Sequence, residues 1–208
     1  MADKLSPSSA ASRKSPAPPR AWQRMLSGRR LDLLDPSPLD VEIADVAHGL
    51  ARVARWNGQT SGEHIFSVAQ HSLLVEEIAR RLAPDADARV LLTALLHDAA
   101  EYVIGDMISP FKAVLGGEYK AVEKRLMAAV HLRFGLPPEA PAATLKLLKR
   151  ADATAAFLEA TRLAGFSIEE ARRFFGRPEG APANADLSPW PAADAEARFL
   201  DRFHALLP

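Results

Sequence analysis

A histidine and an aspartate stand side by side in an apolar segment, LLTALLHDAAEYV. His97 and Asp98 form the only His-Asp dipeptide in the chain, and Glu101 follows one helical turn later. Ionisable groups in an apolar segment cost desolvation free energy unless they are paired or bind an ion. Neighbouring side chains on a helix point roughly 100° apart, so the three groups could face one cavity. The segment therefore predicts a polar site inside a helical core.

Two further polar residues interrupt apolar segments elsewhere: His71 lies in VAQHSLLV and Asp152 in LLKRADATAAFL. Taken singly, each has a simpler interpretation, as a buried histidine with satisfied hydrogen bonds or an aspartate on a helix surface. Together with the His-Asp pair they make a two-histidine, two-carboxylate set, which suits a divalent ion such as Zn, Mn, Fe, Co or Ni. The chain has no cysteine, so thiolate ligands are excluded. We expect one divalent metal ion per chain, with the ligands His71, His97, Asp98 and Asp152.

The composition limits the choice of partners. The chain has 208 residues, of which 48% are hydrophobic and 25% charged, as in an ordinary globular domain. Lys and Arg together number 26, as do Asp and Glu, so the formal net charge is zero. This balance argues against a surface for a nucleic-acid polymer. No apolar run reaches the roughly 20 residues of a membrane span. We therefore expect no membrane partner and a cytoplasmic location.

The elements that must position these residues are predicted to be helices. Residues 1–20 are rich in Pro, Ser and Ala and predict a disordered leader, and 21–208 predict a single domain. Apolar residues recur at three- and four-residue steps and strand signals are nearly absent, so the predicted fold class is all-α. Predicted N-caps are Asp40, Asp87 and Ser167. The segment 27–38 predicts a turn-rich loop or a short hairpin. The predicted helices span 41–53, 65–82, 87–103, 118–134, 145–163, 167–175 and 192–206.

The order His71, His97-Asp98, Asp152 resembles the H…HD…D signature of the HD superfamily of metal-dependent phosphohydrolases. Longer stretches are similar to one branch, the bacterial 5'-deoxynucleotidases, and the resemblance covers about residues 41–165. The similar stretches are RW at 55–56, QHSLLV at 70–75, LLHDAAEYVIGDMISPFK at 95–112, EYKAVEK at 118–124 and LKRADATAAFL at 148–158. The resemblance implies an HD-domain helical bundle with a metal site between its helices. It also implies hydrolysis of a nucleotide phosphomonoester by attack of a metal-activated water.

The same resemblance implies roles for residues outside the ligand set. Arg55 would bind the substrate phosphate, and Trp56 would pack beside the sugar. Glu101 would orient or deprotonate the attacking water, and Asp106 would help in proton transfer or leaving-group binding. Lys112 would also approach the phosphate. The alternative for Arg55 and Trp56 is plain packing at a helix end.

The chain departs from this branch just before the first predicted ligand. The branch typically has Glu before its first ligand histidine, whereas this chain has Gln70, and the preceding loop, NGQTSGEHIFSVAQ, is differently composed. One alternative is another HD phosphohydrolase, acting on cyclic nucleotides or on guanosine 3'-pyrophosphates. A second is a non-catalytic metal-binding module. From the resemblance alone we expect a small phosphorylated substrate, a nucleotide, and a homodimer.

Overall fold

A computed structural model describes residues 20–108, 111 and 117–207. Of the predicted leader only Arg20 is among them, and Lys112 lies outside them. The prediction of an all-α fold is confirmed, with one small hairpin as the exception. The helices are α1 (Ile43–Leu50), α2 (Val68–Leu82), α3 (Ala88–Leu95), α4 (Glu101–Ile104), α5 (Gly117–Arg133), α6 (Ala142–Arg162), α7 (Ile168–Phe175) and α8 (Ala192–Leu206), with 3₁₀ turns at Pro38–Asp40 and Arg55–Gly58.

The segment predicted as a loop or hairpin contributes to an antiparallel hairpin of β1 (Trp22–Arg24) and β2 (Arg30–Asp32). Gly28 has a φ of 90°, a left-handed conformation that glycine adopts without steric cost, and its amide donates to the carbonyl of Met25 at 3.0 Å. Leu31 of β2 is fully buried in the helical core. The hairpin is therefore attached to the helices by an apolar side chain.

Helix α2 lies at the centre of the helical packing. Its first turn, with Val68 and Ala69, is buried with residues of α1, α3, α5 and α8. Its later residues, including Val75 and Ile78, are buried with residues of α6 and α7. Burial of apolar surface on both sides fixes this helix between two parts of the core. His71, one turn into α2, is consequently held in the interior.

Two of the three predicted N-caps are confirmed. The Asp87 carboxylate accepts from the amide of Val90 at 2.9 Å, and Ser167 forms a capping box with Glu170. The prediction that Asp40 caps the first helix is wrong. Asp40 ends a short 3₁₀ turn, and α1 begins after Glu42, which makes no side-chain capping bond.

The prediction of one helix over 87–103 is also wrong, because α3 ends at Leu95 and α4 begins at Glu101. The Nδ1 atom of His97 lies 2.9 Å from the carbonyl oxygen of Ala94, which a continuing helix would use for its backbone ladder. Tighter bonds follow, such as that from the amide of Glu101 to the carbonyl of Asp98 at 3.0 Å. His97 and Asp98 therefore lie in a turn between two helices. In the described part of the chain, no helix is long and apolar enough to cross a membrane.

Candidate functional site

The four predicted ligands come together from three elements. His71 on α2, His97 in the turn after α3, and Asp152 on α6 each offer one ligand atom, and these atoms lie within 4.8 Å of one another. Asp98 joins them, since its Oδ2 lies 3.5 Å from the Nε2 of His71 and 3.2 Å from the Nε2 of His97. The Oδ1 of Asp152 lies 3.3 Å from the Nε2 of His71. These residues are called the His-Asp cluster below.

The His-Asp cluster fits a divalent cation. Two atoms bound about 2.1 Å from a tetrahedral ion lie roughly 3.4 Å apart, close to the separations found here. The Nε2 atoms of His71 and His97 are buried and have no hydrogen-bond partner among the described residues. Buried polar atoms are normally satisfied, so the two nitrogens fit the role of metal ligands. The Asp152 side chain is 46% exposed, which leaves the cluster open to solvent on the carboxylate side.

The other ring nitrogen of each histidine fixes the orientation of its imidazole. The Nδ1 of His71 lies 2.5 Å from the Oε1 of Glu159, and the Nδ1 of His97 contacts the carbonyl of Ala94. Both Nδ1 atoms therefore face acceptors, so in each neutral imidazole the Nε2 lone pair is the one turned towards the cluster. Outer hydrogen bonds of this kind orient the histidines of metal sites and set their tautomers.

The charges of the cluster favour ionised carboxylates. Burial opposes ionisation of Asp98, but His97 and His71 hold its pKa well below the usual value. Burial likewise opposes ionisation of Asp152, and the nearby His71 outweighs it, so this pKa is also lowered. Burial and the nearby Arg55 act to lower the pKa of His71, yet the surrounding carboxylates hold it well above its usual range. The site is thus rich in carboxylates that remain charged, as a cation site requires.

Arg55 and Trp56 lie beside the cluster and share a partner with it. The Nε1 of Trp56 donates to the Oε2 of Glu159 at 2.9 Å, and the Nε of Arg55 donates to the same oxygen at 3.3 Å. The Nη1 of Arg55 donates to the Oδ2 of Asp106 at 3.2 Å. The Arg55 side chain is only 14% exposed. Burial acts to lower its pKa, but Glu159 and Asp106 outweigh burial and raise it, which keeps the guanidinium charged.

The backbone at this point is strained. Trp56 and Asn57 have φ values of 56° and 52°, a left-handed conformation that costs a residue with a side chain about 1–2 kcal/mol. The Trp56 ring contacts Phe166 and Phe175, with centroids 5.6 and 5.9 Å away, and so holds the strained turn against the core. The contact of Trp56 with a sugar stays a prediction.

The remaining predicted residues lie at different places. Glu101 is buried at the first position of α4, three residues after Asp98. Asp106 follows the end of α4, and its side chain is 7% exposed where it contacts Arg55. The catalytic roles given to both stay predictions, and Lys112 lies outside the described residues.

Glu159 was not predicted from the sequence. It contacts three of the residues that were predicted for the site, namely His71, Arg55 and Trp56. It lies on α6, seven residues and about two turns after Asp152, so the two side chains share a helix face. It is fully buried. A single carboxylate in the apolar stretch TAAFLEA, at two-turn spacing from a predicted ligand, is the signal that could have identified it.

Gln70, where the chain departs from the resembling branch, has a structural role. Its Nε2 donates to the carbonyl of Ser188 at 2.8 Å, and its Oε1 accepts from the amide of Trp190 at 3.2 Å. Glutamate in its ionised form can only accept, so it could not make both bonds. The amide therefore fastens the loop before α8 to the residue that precedes His71.

A cavity of about 370 Å³ adjoins the cluster at His97. Its wall is largely apolar, with Met127, Leu145 and Leu148, and His131 also lines it. The volume falls within the range of small-molecule sites, which is about 300–1,000 Å³. The cavity thus has room for an organic group beside His97.

The helical fold with a His-Asp cluster between helices is that of an HD-type phosphohydrolase. A family model described as 5'-deoxynucleotidase YfbR-like matches residues 44–165. The chain belongs to this family, and the resemblance inferred from the motifs is confirmed. The matched range contains every site residue predicted from the sequence.

Three curated proteins illustrate the relationship. The chain is 56% identical over 189 residues to an uncharacterized protein of Rhodobacter capsulatus, covering 90% of this chain and 96% of that protein. It is 31% identical over 169 residues to the uncharacterized protein YfdR of Escherichia coli, covering 80% and 85% respectively. It is 37% identical over 70 residues to the 5'-deoxynucleotidase YfbR of Shigella flexneri, covering 28% of this chain and 35% of that protein.

Proposed function

We propose that this chain is a metal-dependent phosphatase that hydrolyses the 5'-phosphomonoester of a deoxynucleotide. The observation that carries the proposal is the approach of a guanidinium to the His-Asp cluster. Arg55 shares Glu159 with His71, so a phosphate held by the arginine would lie near the predicted metal ligands. The family relationship and the name of the Shigella flexneri relative support the substrate class.

The four residues of the His-Asp cluster would hold the ion. A bound divalent cation supplies polarisation of a phosphoryl oxygen and a lowered pKa for water. The carboxylates of Asp98 and Asp152 would complete the ligand set begun by the two imidazoles. The exposed side of Asp152 would give the substrate access to the cluster.

Arg55 would bind the phosphate. Its Nε and Nη1 are occupied by Glu159 and Asp106, and neither of these bonds uses its Nη2. Because two of its nitrogens are fixed, the guanidinium is oriented before substrate binds. A charged hydrogen bond from an oriented guanidinium stabilises phosphate more strongly than a neutral one does.

Glu101 and Asp106 would take part in proton transfer. Glu101, buried three residues after Asp98, would accept a proton from the attacking water. Asp106 would hold Arg55 in place and assist departure of the nucleoside oxygen. The cavity beside His97 would receive the nucleoside, with Met127 and Leu148 against its apolar surface. The cytoplasmic location and the homodimer remain predictions.

The test is a hydrolysis screen of the purified protein with Zn²⁺, Mn²⁺, Co²⁺ and Ni²⁺. The substrates are 5'- and 3'-monophosphates of deoxynucleosides and ribonucleosides, cyclic nucleotides and guanosine 3'-pyrophosphates. We expect phosphate release from the 5'-deoxynucleotides only. Activity on the cyclic or pyrophosphorylated substrates alone would reject the phosphatase assignment. No measurable hydrolysis of any substrate would favour a non-catalytic module.

Matched variants test the roles. His97→Ala should lose both metal and activity, whereas His204→Ala, at an exposed histidine on α8, should lose neither. Glu101→Gln should keep the metal and lose turnover by roughly 100-fold or more, the usual contribution of a general base. Full activity of Glu101→Gln on the best substrate would show that this carboxylate does not accept the proton.

A further inference from the structure

We infer that Glu159 is a positioning residue that couples metal binding to phosphate binding, through hydrogen bonds from its two oxygens to His71 on one side and to Arg55 and Trp56 on the other. The inference rests on the proposed function, because it assigns Arg55 to the phosphate and His71 to the metal. The individual contacts stand independently of that assignment.

The Glu159 carboxylate is fully enclosed by donors. It has no exposed surface. The Nδ1 of His71 lies 2.5 Å from Oε1. The Nε1 of Trp56 lies 2.9 Å from Oε2, and the Nε of Arg55 lies 3.3 Å from the same oxygen. A buried carboxylate without such partners would be strongly destabilising. The group is therefore held as an acceptor on both sides.

Only a carboxylate satisfies both sides together. The indole and guanidinium nitrogens can donate but not accept, so Oε2 must be an acceptor. On the other side, an accepting Oε1 keeps a proton on the Nδ1 of His71 and leaves its Nε2 lone pair facing Asp98 and Asp152. The same residue thus sets the ring tautomer needed for metal binding and the orientation of the phosphate-binding arginine.

An amide of the same shape breaks one side or the other. In Glu159→Gln, an oxygen turned to His71 places the NH₂ group against the N–H groups of Trp56 and Arg55. An oxygen turned to Trp56 and Arg55 places the NH₂ group against the Nδ1 of His71, which must then accept. The imidazole proton moves to Nε2, where it blocks the position that a metal ion needs.

A purely structural role is distinguished by a matched control. Glu76 on α2 is another buried glutamate, and it binds Arg202 through contacts of 3.0 and 2.5 Å without touching the His-Asp cluster. Glu76→Gln removes a buried carboxylate of the same size beside an arginine. It should lower the stability of the protein and leave its affinity for Mn²⁺ and for inorganic phosphate unchanged.

The experiment compares full-length wild type, Glu159→Gln and Glu76→Gln by calorimetric titration. Mn²⁺ is titrated into the metal-free protein, and inorganic phosphate into the Mn²⁺-saturated protein. If the amide oxygen of Glu159→Gln faces Trp56 and Arg55, we expect Mn²⁺ binding to weaken by about 10–100-fold, as for other outer partners of ligand histidines. If the oxygen faces His71, we expect phosphate binding to weaken by a similar factor. Affinities for both within twofold of wild type would overturn the inference.

A spectroscopic readout adds a signature that lost stability alone would not produce. In the Zn²⁺-loaded wild type, the Nδ1 proton of His71 in its short bond to Glu159 should give a proton resonance at unusually low field. That resonance should move upfield or vanish in Glu159→Gln and persist in Glu76→Gln. Its persistence unchanged in Glu159→Gln, with wild-type affinities, would likewise refute the inference.

If Glu159→Gln does not fold, Glu159→Asp takes its place. Aspartate keeps two acceptor oxygens but is shorter by one methylene, so it cannot contact both sides. A loss of about fivefold or more in either affinity supports the inference, and wild-type values for both overturn it. Because every readout is a binding constant or a resonance, the result is independent of whether the protein hydrolyses any 5'-monophosphate.

Discussion

Gly49 on α1 allows the close approach of the helix that carries Glu101. A methyl group at this position would lie 2.7 Å from the Cβ of Tyr102, 2.9 Å from its carbonyl oxygen and 3.1 Å from its Cα. Carbon atoms in contact normally lie about 3.5–4.0 Å apart, so α4 would have to move by roughly 1 Å in Gly49→Ala. None of these atoms moves when the Tyr102 side chain changes rotamer, so a rotamer change cannot relieve the contact.

The expected cost follows from two opposing effects. Alanine stabilises a helix by about 1 kcal/mol relative to glycine, whereas overpacking a close contact costs typically about 1–3 kcal/mol. Because the obstructing atoms include backbone, we expect the upper part of that cost and a net loss of about 2 kcal/mol in the free energy of unfolding. A shift of roughly 1 Å at Glu101 should also reduce turnover by up to about 100-fold.

Urea unfolding of Gly49→Ala and of a matched glycine variant would measure the first effect. Beyond its chain neighbours and the backbone of its own helix, Gly117 on α5 has no atom of the described residues within 4 Å of the position that a Cβ would occupy, so Gly117→Ala should be neutral or slightly stabilising. The hydrolysis assay on the best substrate measures the second effect. If Gly49→Ala unfolds at the same urea concentration as wild type with full activity, α1 and α4 do not approach each other as described.

Two further predictions concern the surroundings of the site. Gln70→Glu should lower the free energy of unfolding by about 1–3 kcal/mol, because the carboxylate cannot donate to the carbonyl of Ser188. Unchanged urea unfolding would contradict the attachment of the loop before α8 to Gln70. Burial lowers the pKa of His131, with partial compensation from the carbonyls of Pro137 and Pro138. The neutral form of His131 is therefore favoured in the folded protein. The stability that this histidine contributes is complete above its unfolded pKa of about 6.5, and it is lost as the pH falls below that value. His131→Asn should consequently lose less stability than wild type between about pH 7.5 and 5.5, and equal losses in urea unfolding would refute this.

The sequence predicted most helices because their apolar residues repeat at the helical period, and Asp87 and Ser167 marked two of the starts. It did not predict the break after Leu95, since the apolar pattern continues through LLTALLHDAAEYV. The break coincides with the bond between the His97 ring and the carbonyl of Ala94. A hydropathy pattern cannot predict that a side chain will compete with the helix backbone for a carbonyl oxygen.

The same contrast applies to the site. His71 and Asp152 were visible as polar residues in apolar helices. Glu159 has the same character, but it stands near the polar end of α6, where a glutamate usually faces solvent. Its three partners lie 88, 103 and 104 positions away in the chain, so the spacing from Asp152 could mark the residue, but only the packing of α2 and the 3₁₀ turn against α6 shows its partners.

The division of the site between regular and irregular backbone has a functional consequence. His71, Asp152 and Glu159 lie on long helices, whose geometry is fixed by their backbone ladders and their burial. Trp56 lies in a left-handed turn, whose strain must be offset by contacts such as the bond to Glu159. Destabilising changes should therefore disturb the turn before they disturb the helices. If Arg55 binds phosphate and the cluster binds a metal ion, as proposed, phosphate binding next to that turn should consequently be lost at milder perturbation than the metal contacts of His71 and Asp152 on the helices.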